Sequence, residues 1–149
     1  MRSEQPMPLV EDNERIRQIL LNARTIAVVG LSDKPFRDSY TVAGYLQGKG
    51  YRIIPVNPEI SSALGAQAVP RLEDIDGQVD IVDVFRKAEY VPAIVESTIA
   101  IGAKTIWLQT GIIHEEAATR ASEAGLNVLM DRCISVAYSL LIRQVFPRA

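Results

Sequence analysis

Short apolar runs rich in β-branched residues alternate along the chain with stretches in which apolar residues recur at helical spacing. Runs of about four to eight such residues, bounded by glycine or polar residues, are typical of strands buried on both faces. The predicted strands are a run from Thr25 that stops at Gly30, followed by residues 51–58, 79–85, 104–109 and 126–130. The first run is the best defined, because a glycine and a small hydroxyl residue end it abruptly.

The stretches between these runs predict helices at about residues 12–22, 39–49, 89–101, 114–124 and 135–145, with a short helix near 72–75. Strands that alternate with helices indicate a parallel sheet with right-handed crossovers. Pro55 cannot donate a hydrogen bond to a neighbouring strand, so we expect the second strand to lack a regular neighbour on that side. A single domain spanning residues 1–149 is expected, with 1–10 as a loose tail.

Composition narrows the functional classes. The net charge of −2 and a pI of about 5.4 argue against nucleic acid as the main partner, because phosphate-tracking surfaces need a strong basic excess. No apolar run is long enough to span a bilayer, and the first residues lack the hydrophobic region of a signal peptide. One cysteine, Cys133, excludes an intrachain disulfide and suits a reducing compartment. We expect a cytoplasmic protein.

The carboxyl ends of the predicted strands carry the chemistry. In a parallel sheet these ends share one edge, which is where α/β proteins receive ligands. Gly30 would let a ligand approach the backbone, and the loop after it carries Lys34 and Arg37. The next helix would present the N–H groups of Ser39 and Tyr40 to a phosphate. Strand, glycine, basic loop and helix N-terminus together predict an anion-binding device.

Plainer interpretations remain open for several of these residues. Lys34 and Arg37 are also compatible with solvated surface charge, and Arg86 with surface ion pairing. His114, the only histidine, is favoured as a helix cap or an exposed surface residue, and Cys133 is favoured as a buried inert thiol, with a reactive thiol near the ligand edge as the alternative. 

Several catalytic signatures are absent from the sequence. No G-x-G-x-x-G follows the first strand, no G-x-x-x-x-G-K-[ST] occurs, and there is no G-x-S-x-G. One histidine and one cysteine exclude the usual zinc clusters. The pattern predicts a binding edge without a catalytic constellation.

An ordered set of motifs carries a family resemblance: 26–32 (IAVVGLS), 51–58 (YRIIPVNP), 82–86 (VDVFR), 107–111 (WLQTG) and 130–133 (MDRC). This set resembles the small stand-alone coenzyme A-binding proteins, whose domain is similar to the N-terminal domain of the succinyl-CoA synthetase α subunit. The resemblance covers nearly the whole chain. It implies an α/β fold: a three-layer, Rossmann-like, doubly wound parallel sheet of five strands in the order 3-2-1-4-5.

The resemblance also implies contacts with the coenzyme. The first turn would contribute Gly30, Leu31 and Ser32, and the phosphates would be held by Lys34, Arg37, Ser39 and Tyr40. The adenosine part would be bordered by Val56, Asn57 and Pro58, with Phe85 as a second flat apolar surface for the adenine. The remaining walls would be Val84, Phe85 and Arg86 on one side and Gln109 and Gly111 on the other.

By this resemblance the chain binds coenzyme A, or an acyl-CoA, without catalysis of its own. His114 stands in a different setting from the phosphorylated histidine of the synthetase, so ligase activity is not implied. The ligand is a small molecule; neither nucleic acid nor a membrane is expected as a partner, whereas a protein partner or a homo-oligomer remains possible. The alternatives are an NAD(P)-binding oxidoreductase subunit and a regulatory subunit of an acyl-CoA ligase.

Overall fold

The structure is a computed structural model that describes residues 9–142. The helices are α1 (Asn13–Asn22), α2 (Asp38–Gly48), α3 (Val91–Ala100), α4 (Glu115–Glu123) and α5 (Ile134–Leu141). The strands are β1 (Thr25–Val29), β2 (Arg52–Val56), β3 (Ser62–Ala63), β4 (Ala66–Gln67), β5 (Ile81–Val84), β6 (Thr105–Leu108) and β7 (Asn127–Leu129). Most of the predicted N-terminal tail, and any part of the last predicted helix beyond 142, lie outside the described residues.

Five parallel strands form one sheet in the spatial order β2-β1-β5-β6-β7. One face packs against α3 and α4, through side chains such as Val95 and Ala118, and the other packs against α1, α2 and α5, through side chains such as Leu20 and Leu46. Every residue of β1, β5 and β6 is buried, as expected for strands covered on both faces. The predicted fold class, a three-layer Rossmann-like α/β sheet, is confirmed.

The strand order needs one refinement. The strand β5, the third of the five main strands along the chain, pairs with β1. When the five main strands are numbered along the chain, their spatial order in the sheet is therefore 2-1-3-4-5. Outside β2 lies only an isolated parallel bridge between Val56 and Val69. When this bridge is counted as a rudimentary third strand, the pattern becomes the predicted 3-2-1-4-5, extended by one further strand. Residues 59–78 contain only short elements, so their sequence pattern did not indicate that one of them lies beside β2 at the edge of the sheet.

Pro55 explains the irregular side of β2. Its carbonyl accepts a hydrogen bond from the Val69 N–H at 3.0 Å, while β2 pairs along its full length only with β1. An edge position requires no N–H from the proline ring. The irregular neighbour expected for the second strand is therefore confirmed. The segment also forms a small antiparallel pair, β3 with β4, which no periodic pattern indicated.

Asp80 ties the beginnings of two central strands together. Its Oδ2 accepts hydrogen bonds from the N–H groups of Arg24 at 2.8 Å and Thr25 at 2.9 Å, and its own N–H donates to the Thr25 carbonyl at 3.0 Å. The carboxylate thereby provides partners for two backbone donors where β1 enters the sheet. This contact aligns β1 with β5 at the amino edge.

Gly30 brings the ends of β1 and β5 together at the carboxyl edge of the sheet. Its φ of +90° lies in the left-handed region, and a Cβ placed on it would lie 2.5 Å from the Phe85 carbonyl oxygen and 3.0 Å from the Arg86 Cδ. Its N–H donates to the Val56 carbonyl at 2.8 Å. Only glycine allows the turn after β1 to lie this close to the turn after β5. The missing side chain of Gly30 therefore makes room for the backbone of Phe85.

Substitution of Gly30 by alanine should destabilise the fold more than the same change at Gly50. Both residues have positive φ, but nothing lies within 4 Å of a Cβ placed at Gly50. Gly50→Ala should cost about 1 kcal/mol from backbone strain alone, whereas Gly30→Ala should cost about 3 kcal/mol because the clash with Phe85 is added. Urea unfolding measures both values, and equal losses would show that the contact with Phe85 adds nothing.

Asp80→Ala should lower the free energy of unfolding by about 2 kcal/mol, because two N–H groups lose a charged acceptor. The matched control is Asp76→Ala, which removes an exposed carboxylate for which the structure records no hydrogen bond or ion pair. This control should change stability by less than about 0.5 kcal/mol. Chemical denaturation of the two variants side by side tests the difference, and a loss at Asp76 as large as that at Asp80 would contradict it.

Candidate functional site

Two adjoining cavities open at the carboxyl edge of the sheet. The first, about 600 Å³, is lined by Gly30, Ser32, Lys34, Phe36, Arg37, Asp38, Ser39 and Phe85. The second, about 660 Å³, is lined by Asp38, Thr41, Val42, Phe85, Arg86, Lys87, Ala88, Gln109, Thr110, Gly111, Ile112 and Cys133. Asp38 and Phe85 line both cavities, so the two form one cleft with a boundary at these residues.

Hydrogen bonds hold the loop that forms the first cavity. The Ser32 N–H donates to the Ser39 Oγ at 3.0 Å, and the Lys34 N–H donates to the Ser32 Oγ at 3.0 Å. On the other side, the Asn57 Nδ2 donates to the Leu31 carbonyl at 2.9 Å. The loop is thus fixed to the start of α2 and to the end of β2, and its shape does not depend on a ligand.

Helix α2 points its N-terminus at the first cavity but begins one residue earlier than predicted. Arg37 is the residue before the helix, and its carbonyl accepts hydrogen bonds from the N–H groups of Tyr40 and Thr41, both at 3.1 Å. The expectation of a free N–H at Tyr40 is therefore wrong, because a tight first turn occupies it. In the first turn of α2, the N–H groups that precede these two bonds are those of Asp38 and Ser39.

The charges around the first cavity are mixed. Lys34 and Arg37 are both exposed, and the Lys34 Nζ lies 3.8 Å from the Asp33 carboxylate, while the Arg37 guanidinium lies 5.7 Å from the centre of the Phe36 ring. Asp38 adds a negative charge at the boundary with the second cavity. Two exposed cations beside a helix N-terminus suit an anion, and Asp38 restricts where that anion can lie.

The second cavity is formed by the turns after β5 and β6. The guanidinium of Arg86 stacks on the Tyr90 ring at 4.2 Å and makes no ion pair among the described residues, so the pairing considered from the sequence does not occur. Gln109 is buried, and its Oε1 accepts from the Ile134 N–H at 3.1 Å. The Gly111 N–H donates to the Asp131 Oδ1 at 2.7 Å. Both contacts join the end of β6 to the segment before α5.

The structure brings together part of the predicted contact set. The predicted residues that line the cleft are Gly30, Ser32, Lys34, Arg37, Ser39, Phe85, Arg86, Gln109 and Gly111. The remaining predicted residues, which line neither cavity, are Leu31, Tyr40, Val56, Asn57, Pro58 and Val84. Three of these, Leu31, Val56 and Val84, point their side chains into the core. Only their backbone atoms can face a ligand.

Sequence reasoning missed several lining residues, of which Phe36 is the most prominent. Its ring is 75% exposed at the rim of the first cavity. The available signal was an aromatic residue inside an otherwise polar loop, an arrangement that leaves a large apolar surface in water. Asp38, Thr41 and Lys87 line the second cavity from positions that become visible only when α2 and the turn after β5 are placed together.

A buried carboxyl group lies beneath the second cavity. Asp83, in the middle of β5, is fully buried, and neither of its oxygens has a hydrogen-bond partner among the described residues. Burial, reinforced by the negative charge of an ionised Cys133, raises the pKa of Asp83 well above its ordinary value. Burial without a partner therefore favours the protonated, neutral form of this carboxyl group.

Cys133 lies in the wall of the second cavity as the residue that precedes α5. Burial alone would raise the pKa of its thiol, but hydrogen bonds from the Ser135 hydroxyl, from backbone N–H groups of α5 and from the Gln109 side chain outweigh it and lower the pKa. The thiol is half-buried. This environment favours the thiolate, so the interpretation of Cys133 as a buried inert thiol does not fit.

Another cavity, about 390 Å³, lies at the opposite edge of the sheet, among residues such as Arg15, Asp80 and Lys104. No glycine is among the described residues that line it, and its lining contains no cation-bearing loop after a strand. Within residues 9–142, no helix has the length and apolar character needed to cross a bilayer, and no group of three or more metal-ligating side chains comes together. The carboxyl-edge cleft is therefore the better candidate site.

Comparisons with known proteins show relatives of similar sequence and fold. The chain is 47% identical over 125 residues to the protein YneT of Bacillus subtilis (strain 168), covering 84% of this chain and 93% of that one. A solved structure of a protein from Pyrococcus horikoshii OT3 is 36% identical and superposes with a TM-score of 0.88 over 96% of this chain and 100% of that one.

A more distant solved structure shares the fold alone. The apo form of a dinucleotide forming acetyl-coenzyme A synthetase 1 from Ca. Korarchaeum cryptofilum is 24% identical, with a TM-score of 0.66 over 80% of this chain and 28% of that one. The family model described as "CoA binding domain" matches residues 24–139, which span all five strands of the sheet and the cleft at their carboxyl edge. The chain belongs to this coenzyme A-binding domain family.

Proposed function

We propose that the chain binds coenzyme A across both cavities of the carboxyl-edge cleft. The phosphates lie in the first cavity and the pantetheine arm runs through the second toward Cys133. The observation that carries this proposal is that one cleft has a glycine turn, two loop cations and the N-terminus of α2 at one end and the Cys133 thiol at the other, with a boundary at Asp38 and Phe85. Coenzyme A has corresponding ends, since its phosphates are concentrated at the adenosine end and its thiol lies at the end of the pantetheine arm.

The first cavity supplies three kinds of phosphate ligand. Lys34 and Arg37 provide positive charge, the first turn of α2 provides N–H donors and the positive end of its dipole, and the Ser39 Oγ–H remains available as a donor. The hydroxyl of Ser39 already accepts from the Ser32 N–H, so its oxygen is fixed in position. A phosphate at this point replaces water without rearranging the loop.

Aromatic rings provide the surface for the adenine. Phe36 and Phe85 both line the first cavity, and the exposed ring of Phe36 gains most from being covered. A base that lies against these rings is held by stacking, which tolerates many orientations. The residues proposed for the adenosine from the sequence, Val56 to Pro58, contribute by holding the loop that carries Phe36.

Asp38 orients the ligand along the cleft. Its carboxylate repels phosphate but not the uncharged pantetheine arm. Because Asp38 lines both cavities, it disfavours a phosphate at their boundary and favours phosphates placed at the Lys34 end of the first cavity. The proposal is a binding function for coenzyme A or its acyl thioester, and it assigns no reaction to the site.

Titration of three ligands tests the proposal by calorimetry. Coenzyme A should bind most tightly. Dephospho-coenzyme A, which lacks one phosphate, should bind about tenfold more weakly, because one charge-assisted contact is lost. NAD should show no binding, since the chain has neither the glycine fingerprint nor an acidic residue at the end of the second strand. Equal binding of all three ligands, or none by any, would reject the proposal.

Removing the two loop cations tests their role. The double variant Lys34→Gln/Arg37→Gln should bind coenzyme A roughly thirtyfold more weakly, which corresponds to about 2 kcal/mol for two exposed phosphate contacts. The matched control is Lys104→Gln, which removes one charge at the opposite edge and should leave affinity unchanged. The affinity of the double variant should also depend less on salt. An unchanged dissociation constant in the double variant would place the phosphates elsewhere.

A further inference from the structure

Cys133 combines accessibility with an activated sulfur. It lines the second cavity and is half-buried, and its Sγ lies 3.2 Å from the Ser135 Oγ. It also precedes the first turn of α5, whose N–H groups face the sulfur. A thiol at a helix N-terminus with a hydroxyl donor beside it is the setting in which thiolates attack disulfides.

A second observation points to the same place. Asp83 is fully buried with both oxygens unpartnered, and it lies on the sheet face that packs against α5, next to Trp107 of β6 in the register of the sheet. The Trp107 Nε1 donates to the Arg132 carbonyl at 3.0 Å, so this face holds the segment that carries Cys133. A buried acid that pairs with nothing costs free energy, and Cys133 is near enough for the charge of an ionised sulfur to raise the pKa of Asp83 further.

The neutral state of Asp83 is what makes this arrangement useful. A protonated carboxyl group adds a polar group to the surroundings of Cys133 without adding a negative charge that would oppose the thiolate. Gln109 completes the surroundings: its Oε1 is held by the Ile134 N–H, which leaves its amide N–H₂ group for the sulfur. The sulfur is thereby surrounded by donors on the protein side and is open on the cleft side.

We propose that Cys133 is a thiol–disulfide exchange site for the coenzyme, which forms a mixed disulfide with coenzyme A in the cleft. This inference rests on the proposed function, because the cleft must bring the coenzyme's sulfur to Cys133. The substrate is a disulfide form of coenzyme A, CoA–S–S–R. The chain would thus hold the coenzyme covalently under oxidising conditions and release it under reducing ones.

The exchange balances without a further oxidant. The Cys133 thiolate attacks the coenzyme's sulfur, the new S–S bond joins protein and coenzyme, and the bond to R–S breaks with its electron pair. Cys133 is oxidised, R–S is reduced, and R–S⁻ takes a proton from water. An incoming thiol reverses the reaction by attacking the mixed disulfide, returning Cys133 as a thiolate.

Mass spectrometry of the intact chain tests the proposal with coenzyme A disulfide, CoA–S–S–CoA. The mass should rise by one coenzyme A less two hydrogen atoms, and dithiothreitol should remove the adduct. Because Cys133 is the only cysteine, the informative quantity is the rate rather than the adduct itself. The adduct should form at least tenfold faster with coenzyme A disulfide than with cystamine, since the cleft raises the local concentration of the coenzyme's sulfur.

The charge variant separates this inference from the proposed function. Lys34→Gln/Arg37→Gln should slow the reaction with coenzyme A disulfide and leave that with cystamine unchanged. If coenzyme A binds in calorimetry but its disulfide reacts no faster than cystamine, the inference is overturned and the proposed function stands. If coenzyme A does not bind at all, the proposed function fails first.

Asp83 has its own test, with cystamine as the probe that needs no binding site. Asp83→Asn keeps a neutral polar group and should retain the rate within about twofold, whereas Asp83→Leu replaces it with an apolar group and should slow the reaction about fivefold. Circular dichroism checks that both variants fold. Equal rates in wild type and Asp83→Leu would remove Asp83 from the proposal; restoration by asparagine alone would support its role as a positioning residue.

Discussion

The close approach of two turns at the carboxyl edge is the constraint on which the rest of the site depends. The turn after β1 lies against the backbone of the turn after β5, with a glycine at the contact and the Phe85 carbonyl where a side chain would otherwise be. Parallel pairing brings the strand ends to one edge, but this contact brings their loops together. It places Phe85 at the boundary of both cavities, so the cationic loop and the amide-rich turns form one cleft.

Two aspartates three residues apart show how differently the fold uses carboxyl groups. Asp80, just before β5, accepts two backbone hydrogen bonds at the amino edge where β1 enters the sheet. Asp83 lies within β5, fully buried and with no hydrogen-bond partner among the described residues, and burial raises its pKa. The first carboxylate stabilises the sheet, while the second costs stability. An isosteric apolar residue would pack at position 83 without that cost, so the carboxyl group is not there to stabilise the sheet.

Periodicity predicted the fold class because it depends on local burial: runs such as Thr25–Val29 are apolar throughout since helices cover both faces. The order of strands depends on which long-range pairing is most favourable, which no single run encodes. The residues of β5, the third main strand, do not themselves indicate which strand lies beside it. In the structure β5 pairs with β1. Positions adjacent to strand ends, such as Gln109, were predictable for the cleft. Phe36 and Thr41 were not, because the path of the loop and the rotation of α2 bring them there.

In the proposed binding mode, the two ends of the cleft make different demands on charge. A phosphate needs positive charge and N–H donors, whereas a thiolate at the other end needs donors without a competing anion. Helix N-termini meet both requirements, and the cleft contains two of them: α2 at the first cavity and α5 beside Cys133. Asp38 lies at the boundary of the two cavities. Its carboxylate would repel a phosphate that moved from the first cavity toward α5, whose N-terminus would otherwise attract that phosphate as well.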